Sequence, residues 1–205
     1  MTPRTKPNAD FLRPDPSGRR GFSLLELLLV VALIGILSAA ALTRSDPDFT
    51  TQLQSAAQTV LNDLDYVRSL AVSNGEPYKL TFDPANNAYY YRHTGPTTSL
   101  DVLPGSAFHV SSDSGKQLTA NLASLPLGGA VVTLAGATNP NGMSAQAATN
   151  VEFNALGGTT SLLETDLWLS IGAGRSTQYQ KISINPVTGL AQLGGIQTSK
   201  PVGVP

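Results

Sequence analysis

From Phe22 to Leu42 the chain runs for 21 residues with a single charge, Glu26. At ~1.5 Å of rise per residue this makes roughly 31 Å of helix, about the thickness of a bilayer's hydrocarbon core. A carboxylate five residues into such a segment is costly in lipid. It therefore marks a functional position with a partner, unless it reaches back to the headgroups from its place near the helix end. Arg19, Arg20 and Gly21 stand just ahead. The pattern is a membrane-spanning helix with an acid in its first turn, preceded by a basic leader.

Charge is divided unevenly along the chain. Residues 1–21 carry Arg4, Lys6, Arg13, Arg19 and Arg20 against Asp10 and Asp15, a net +3; the whole chain is −1, so the remainder is −4. A basic flank predicts a cytoplasmic N-terminus and an exported remainder. The acidic exported part argues against a nucleic-acid footprint, which would be basic. The absence of cysteine excludes a disulfide framework and a thiolate metal site. An ordinary secretory signal is the competing reading, with cleavage in Ser38-Ala39-Ala40-Ala41 and Arg19-Arg20 as a twin-arginine element. Against it stand the acid inside the apolar run and a run longer than the ~7–15 residues of such signals.

Arg20-Gly21-Phe22-Ser23-Leu24-Leu25-Glu26 resembles the class III signal of type IV pilins and type II secretion pseudopilins, with Ser23 where Thr is commoner. The resemblance implies cleavage after Gly21 by a prepilin peptidase and N-methylation of the new terminus, Phe22. It also implies a role for Glu26 in subunit assembly, paired with the terminal amine of a neighbouring subunit. Physics agrees: an unpaired carboxylate in lipid neutralises or finds a cation, and an amine freed at Phe22 lies within about one helical turn. Three further stretches are similar to GspH/FimT-type minor pseudopilins. Leu64–Gly75 resembles a helix end running into a strand, Val151–Gly157 a strand-then-glycine element, and Ile182–Gly189 a closing hairpin. Members linked to DNA uptake tend to carry arginines after that last glycine; here Leu190-Ala191-Gln192 follows, so nucleic acid is not expected.

Along the chain, Pro-rich residues 1–21 read as a leader that is removed, and 22–42 as the transmembrane helix. Asp46-Pro47 is a helix-start signature, with Asp as N-cap and Pro at the first helical position. An amphipathic periplasmic helix over 43–75 follows, its stripe being Leu53, Ala57, Val60, Leu61, Leu64, Val67 and Ala71, with Asn74-Gly75 as its stop. From Gly75 the period changes to 2. Strands are predicted at 77–82, 88–93, 107–111, 130–134, 151–153, 167–171, 179–184 and 190–193, with 136–142 as a turn-rich piece. Residues 76–193 form a β-rich head and 194–205 a loose tail, while no motif anchors 94–150. The fold class is α+β: a long N-terminal helix, transmembrane then amphipathic, packed on an antiparallel, pilin-like sheet head.

Catalysis finds little support, so no enzyme activity, cofactor or metal is expected. His93 and His109 have no acid at triad or metal spacing and read as solvated or core residues. Gly172-Ala173-Gly174-Arg175 lacks the phosphate-loop pattern and reads as a turn. Asp101 and Asp113 belong to no EF-hand loop. Asp65 and Arg68 are placed to pair on the helix surface for about 0.2–0.5 kcal/mol.

The reading is a minor pseudopilin of a type II secretion system. It would sit single-pass in the bacterial inner membrane, with a cytoplasmic N-terminus and a periplasmic head. Its implied partners are the prepilin peptidase, other major and minor pseudopilins, membrane lipid and the inner-membrane assembly platform. The alternatives are a minor type IV pilin, serving pilus biogenesis or DNA uptake, and an exported ligand-binding module with an ordinary signal. A bulky residue at Gly21 is expected to leave a leader of ~2 kDa on the protein, at about 110 Da per residue. Terminal sequencing of the unsubstituted mature chain then starts at Phe22; a start near Leu42 would instead mark the ordinary signal.

Overall fold

The computed structural model describes residues 22–42, 49–105, 109–125, 131–141 and 144–204. The chain divides into two units, one ending at Asp46 and the other beginning at Pro47. The Asp46-Pro47 cap lies outside the described residues, as do Gly21 and the leader.

The first unit holds α1 (Leu24–Leu42). Its side chains are exposed from Phe22 through Ile36, with no face set apart as polar. A helix apolar all round is one that lipid or other protein must cover. Among the described residues no helix is long and apolar enough to cross a membrane. The stretch 22–42 also includes Leu37 and residues 39–42, whose side chains fall outside that set.

In the second unit α2 (Phe49–Asn74) ends where Gly75 takes φ +67°, a left-handed conformation glycine adopts without penalty. Leu53, Ala56, Ala57, Val60, Leu64, Val67 and Ala71 are fully buried. Leu61, expected in that stripe, is only half-buried, and Ala56 takes its place. The difference is angular: at ~100° per residue Leu61 lies at the margin of the face centred on Val60 and Leu64.

Two five-stranded antiparallel sheets receive this helix. The first runs β3 (Val110–Ser112), β4 (Gln117–Asn121), β2 (Ala88–His93), β1 (Tyr78–Asp83), β7 (Asn150–Phe153). The second runs β10 (Ala191–Gln197), β9 (Gln178–Ile184), β8 (Thr165–Ile171), β5 (Thr133–Asn141), β6 (Ser144–Ala148). Leu80, Tyr89, Tyr91 and Phe153 from the first sheet, and Leu167, Leu169 and Ile182 from the second, share one core with α2. Asn87 joins the sheets: its side-chain amide donates to the Val132 carbonyl (2.9 Å) and accepts from the Leu134 N–H (2.7 Å). The α+β class and the antiparallel head stand as expected.

Three expectations are corrected. The sequence predicts a turn-rich piece at 136–142, yet β5 continues to Asn141. Its Pro140 lies past the pairing with β8, which ends at Thr138, so that side of the backbone needs no donor. Strands β4 and β6 went unpredicted. The tail 194–205 is not loose: β10 runs to Gln197, and Pro201 and Val204 are buried. These last residues form a strap lying against Trp168, Asp166, Thr138 and Ala145, on the side of β8 away from Leu167 and Leu169. Strap and sheet line an open cleft of about 340 Å³.

Leu64→Ala is expected to destabilise the second unit by about 2–5 kcal/mol, and Leu61→Ala by much less. Urea unfolding followed by circular dichroism measures both.

Candidate functional site

The sequence pointed first to the N-terminal end of α1. Phe22 lies ahead of the helix and is 80% exposed. The Leu25 N–H donates to Ser23 Oγ (3.3 Å), and the Leu27 N–H to the Ser23 carbonyl (3.1 Å). Ser23 is therefore the N-cap, and Glu26 is the third helical residue. Unpaired N–H groups at a helix start favour a carboxylate there. Ser-Leu-Leu-Glu is a capping-box pattern, a signal the sequence carries within the membrane motif. The exposed side chains of Leu24, Leu25, Leu27, Leu28 and Leu29 form an apolar collar about Glu26. An acid in such a collar has no water-like neighbour once the helix is packed or inserted, so a cation from elsewhere is the natural complement.

Acids meet both histidines, contrary to the expectation from sequence spacing. His93 at the end of β2 is buried, with Nδ1 3.0 Å from Asp101 Oδ1 and Nε2 2.8 Å from Glu76 Oε2. Carboxylates only accept, so in each contact the ring nitrogen is the donor whenever it carries the proton. Glu76 also accepts from the Thr97 N–H (3.1 Å) and from the Thr97 hydroxyl, and Lys116 Nζ donates to Asp101 Oδ2 (3.3 Å). The bond from the Thr97 hydroxyl, then those from the Thr97 N–H and His93, hold Glu76 below its ordinary 4.5. The bond from His93 and then that from Lys116 hold Asp101 below 3.8. The arrangement is a clasp joining the α2–β1 connection, the end of β2 and the β3–β4 turn.

The carboxylates lie on opposite nitrogens of one ring, and so do not converge on a point where a cation would sit. Among the described residues no group of three metal-ligating side chains does. Asp101 and Asp113 line one cleft of about 290 Å³ with Thr94 and the cationic Arg92 and Lys116.

His109 Nε2 lies 2.9 Å from Asp63 Oδ2, which also accepts from the Tyr89 hydroxyl. The Tyr91 ring meets the His109 ring edge-on at 5.4 Å. Burial first, and then the Asp63 charge, push the Tyr89 hydroxyl well above its usual range, so it remains a donor. Arg68 does not serve as the surface partner of Asp65. Its Nε donates to the Gly157 carbonyl (3.0 Å) and the Thr188 carbonyl (2.9 Å), latching two loops to α2. Those loops meet so closely that a Cβ on Gly189 would stand 2.0 Å from the Gly157 oxygen.

Residues 16–42 match the family described as the prokaryotic N-terminal methylation motif. Over 68 residues the chain is 44% identical to type II secretion system protein H of Xanthomonas campestris pv. campestris; the match covers 32% of this chain and 39% of that protein. The type IV minor pilin FimU of Pseudomonas aeruginosa aligns at 19% identity over 74% of this chain and 92% of its own, with a TM-score of 0.45. The minor pseudopilin EpsH from the type 2 secretion system of Vibrio cholerae aligns at 10% identity over 70% and 97%, with a TM-score of 0.43. The chain thus spans about two fifths of the length of the protein H it matches.

The clasp carries a pH signature. Both carboxylates sit below their ordinary values of 4.5 and 3.8, so their contribution is complete above those values. It is lost as pH falls through the lowered ones. Melting temperatures measured from pH 6 down to roughly pH 2 are expected to fall steeply at the acid end. In Glu76→Gln and Asp101→Asn that acid limb is shallower and the melting temperature at neutral pH is lower.

Proposed function

We propose that this chain is a minor pseudopilin of a type II secretion system, a non-enzymatic subunit that acts by assembling. The observation that carries the reading is the N-terminal element. A methylation motif over 16–42 contains a capped helix with one acid, Glu26, in a collar of leucines. The likeness to protein H favours the secretion system over a pilus.

In this reading a prepilin peptidase cuts after Gly21, and Phe22 becomes the methylated N-terminus. Residues 22–42 hold the subunit in the inner membrane, with the second unit in the periplasm. Glu26 takes the terminal amine of a neighbouring subunit as its counter-charge. The magnitudes favour such a pair. A carboxylate at the middle of a membrane helix costs about 2.5–3.5 kcal/mol, and less near its end. An amine 4 Å away returns about 4 kcal/mol where the effective dielectric constant is about 20. An unpaired Glu26 penalises every wrong register, so a single buried charge selects the axial position of one subunit against the next. Other pseudopilins and the inner-membrane assembly platform are the partners this mechanism requires.

Glu26→Leu is expected to leave membrane insertion intact while incorporation into filaments falls at least about tenfold, equivalent to 1.4 kcal/mol. Fractionation measures insertion and sheared-filament immunoblots measure incorporation; normal incorporation would sink the assigned role. Deleting the gene and scoring secretion, piliation and DNA uptake separately tells the secretion system from a pilus.

A further inference from the structure

The C-terminal strap is fastened differently from the other irregular segments of the second unit. The loop after β7 is tied down by directional bonds. The Thr159 N–H donates to the Pro186 carbonyl (2.8 Å), the Thr160 N–H to the Glu152 carbonyl (2.8 Å), and Arg68 Nε to the Gly157 carbonyl (3.0 Å). In the strap, β10 makes its last pair at Gln197, opposite Tyr179. Thr198 and Ser199 follow as exposed bends, with the Gln197 side-chain amide donating to the Ser199 carbonyl (3.1 Å). Beyond them, among the described residues, no hydrogen bond or ion pair joins residues 200–204 to the sheet. Their seating is apolar: Pro201 and Val204 are buried, while Val202 between them is exposed. Such contact is non-directional, so the segment lifts without breaking a bond.

The face beneath the strap is polar. Alternation along β8 turns Leu167 and Leu169 toward α2 and Asp166, Trp168 and Ser170 to the other side. Despite that outward position Trp168 is only 8% exposed. Its Nε1–H is buried and, among the described residues, meets no protein acceptor. Asp166 is buried as well, accepting from Ser183 Oγ (2.8 Å) and Lys181 Nζ (3.3 Å). Covering this face takes a donor out of water without giving it a protein partner, which opposes the covered state. The cleft left between strap and sheet shows that the packing is also incomplete. Gly203 sets the fit: at φ +82°, a Cβ there would stand 2.9 Å from the Ala145 oxygen. Few apolar contacts and no backbone bonds mark a segment that opens at low cost.

We infer that residues 200–204 are a lid on the outer face of the second sheet, swinging about Thr198 and Ser199 while both sheets and α2 stay folded. Closed, the chain's own terminus masks Trp168 and Asp166. Open, it presents an indole N–H and a carboxylate side by side on a sheet face. How often the lid lifts therefore sets how much of that face is available. The device lies wholly in the second unit, so a failure of the role assigned to Glu26 leaves it untouched.

The test uses the full-length protein in detergent micelles and follows hydrogen exchange by NMR, corrected for intrinsic rates. Exchange of the Trp168 indole N–H is compared with that of the Leu167 amide, which sits in β8 between Ala137 and Ile182. The indole is expected to exchange at least about a hundredfold faster than the Leu167 amide, since only the latter needs the sheet to open. It is also expected to exchange at least about tenfold more slowly than in a chain ending at Gln197. Gly203→Val, which cannot seat against Ala145, should speed the indole at least about tenfold and leave the Leu167 amide unchanged. Exchange of indole and amide at one rate would mean that the strap leaves only with the sheet. An indole as fast with the strap as without it, or unmoved by Gly203→Val, would mean that the strap does not control the face. Each of these results would overturn the inference.

Discussion

The second unit depends on one dry stripe. Leu53, Val60, Leu64 and Val67, together with Ala56, Ala57 and Ala71, are withdrawn from water along one side of α2. At about 1.5–3 kcal/mol for each Leu or Val, the four aliphatic side chains amount to roughly 6–12 kcal/mol relative to an extended chain, an upper bound. That is comparable to the whole net stability of a domain, ~5–15 kcal/mol. The alanines matter for a different reason. Small residues let the backbone of α2 come close to strands of both sheets, so one helix is the shared wall of a two-sheet head.

Polar contacts around the stripe fix how the sheets sit on the helix. Asp63 reaches Tyr89 and His109, Arg68 reaches the loops at Gly157 and Thr188, and Glu76, just past the helix end, reaches His93. Each is a charged group meeting hydrogen-bond partners across a seam between elements. Such contacts add little net energy, but a mispacked arrangement would bury a charge without a partner. Apolar burial drives the head together and these contacts choose which packing is allowed.

What could be read in advance follows the range of the interactions involved. The stripe of α2 and the strand Ala88–His93 were legible because local periodicity encodes them. The part of β5 beyond Leu134 and all of β6 were not, since Ala-Gly-Ala-Thr-Asn-Pro-Asn and Ser-Ala-Gln-Ala-Ala lack both alternation and β-branched weight. Pairing of β5 with β8, and of β6 with β5, overrides their weak propensity. The His93 clasp was hidden because Glu76 and Asp101 lie 17 and 8 residues away, distances that only the turn of β1 into β2 and the loop after it bring together. Glu26 and its leader were visible because a membrane segment is a one-dimensional signal.

The strap has a practical corollary. Trp168 is the chain's one tryptophan, and it lies where the C-terminal residues rest, on the opposite side of β8 from the α2 core. Its emission therefore reports chiefly on whether that last segment is seated. Fluorescence unfolding curves of this protein would register detachment of the terminus first.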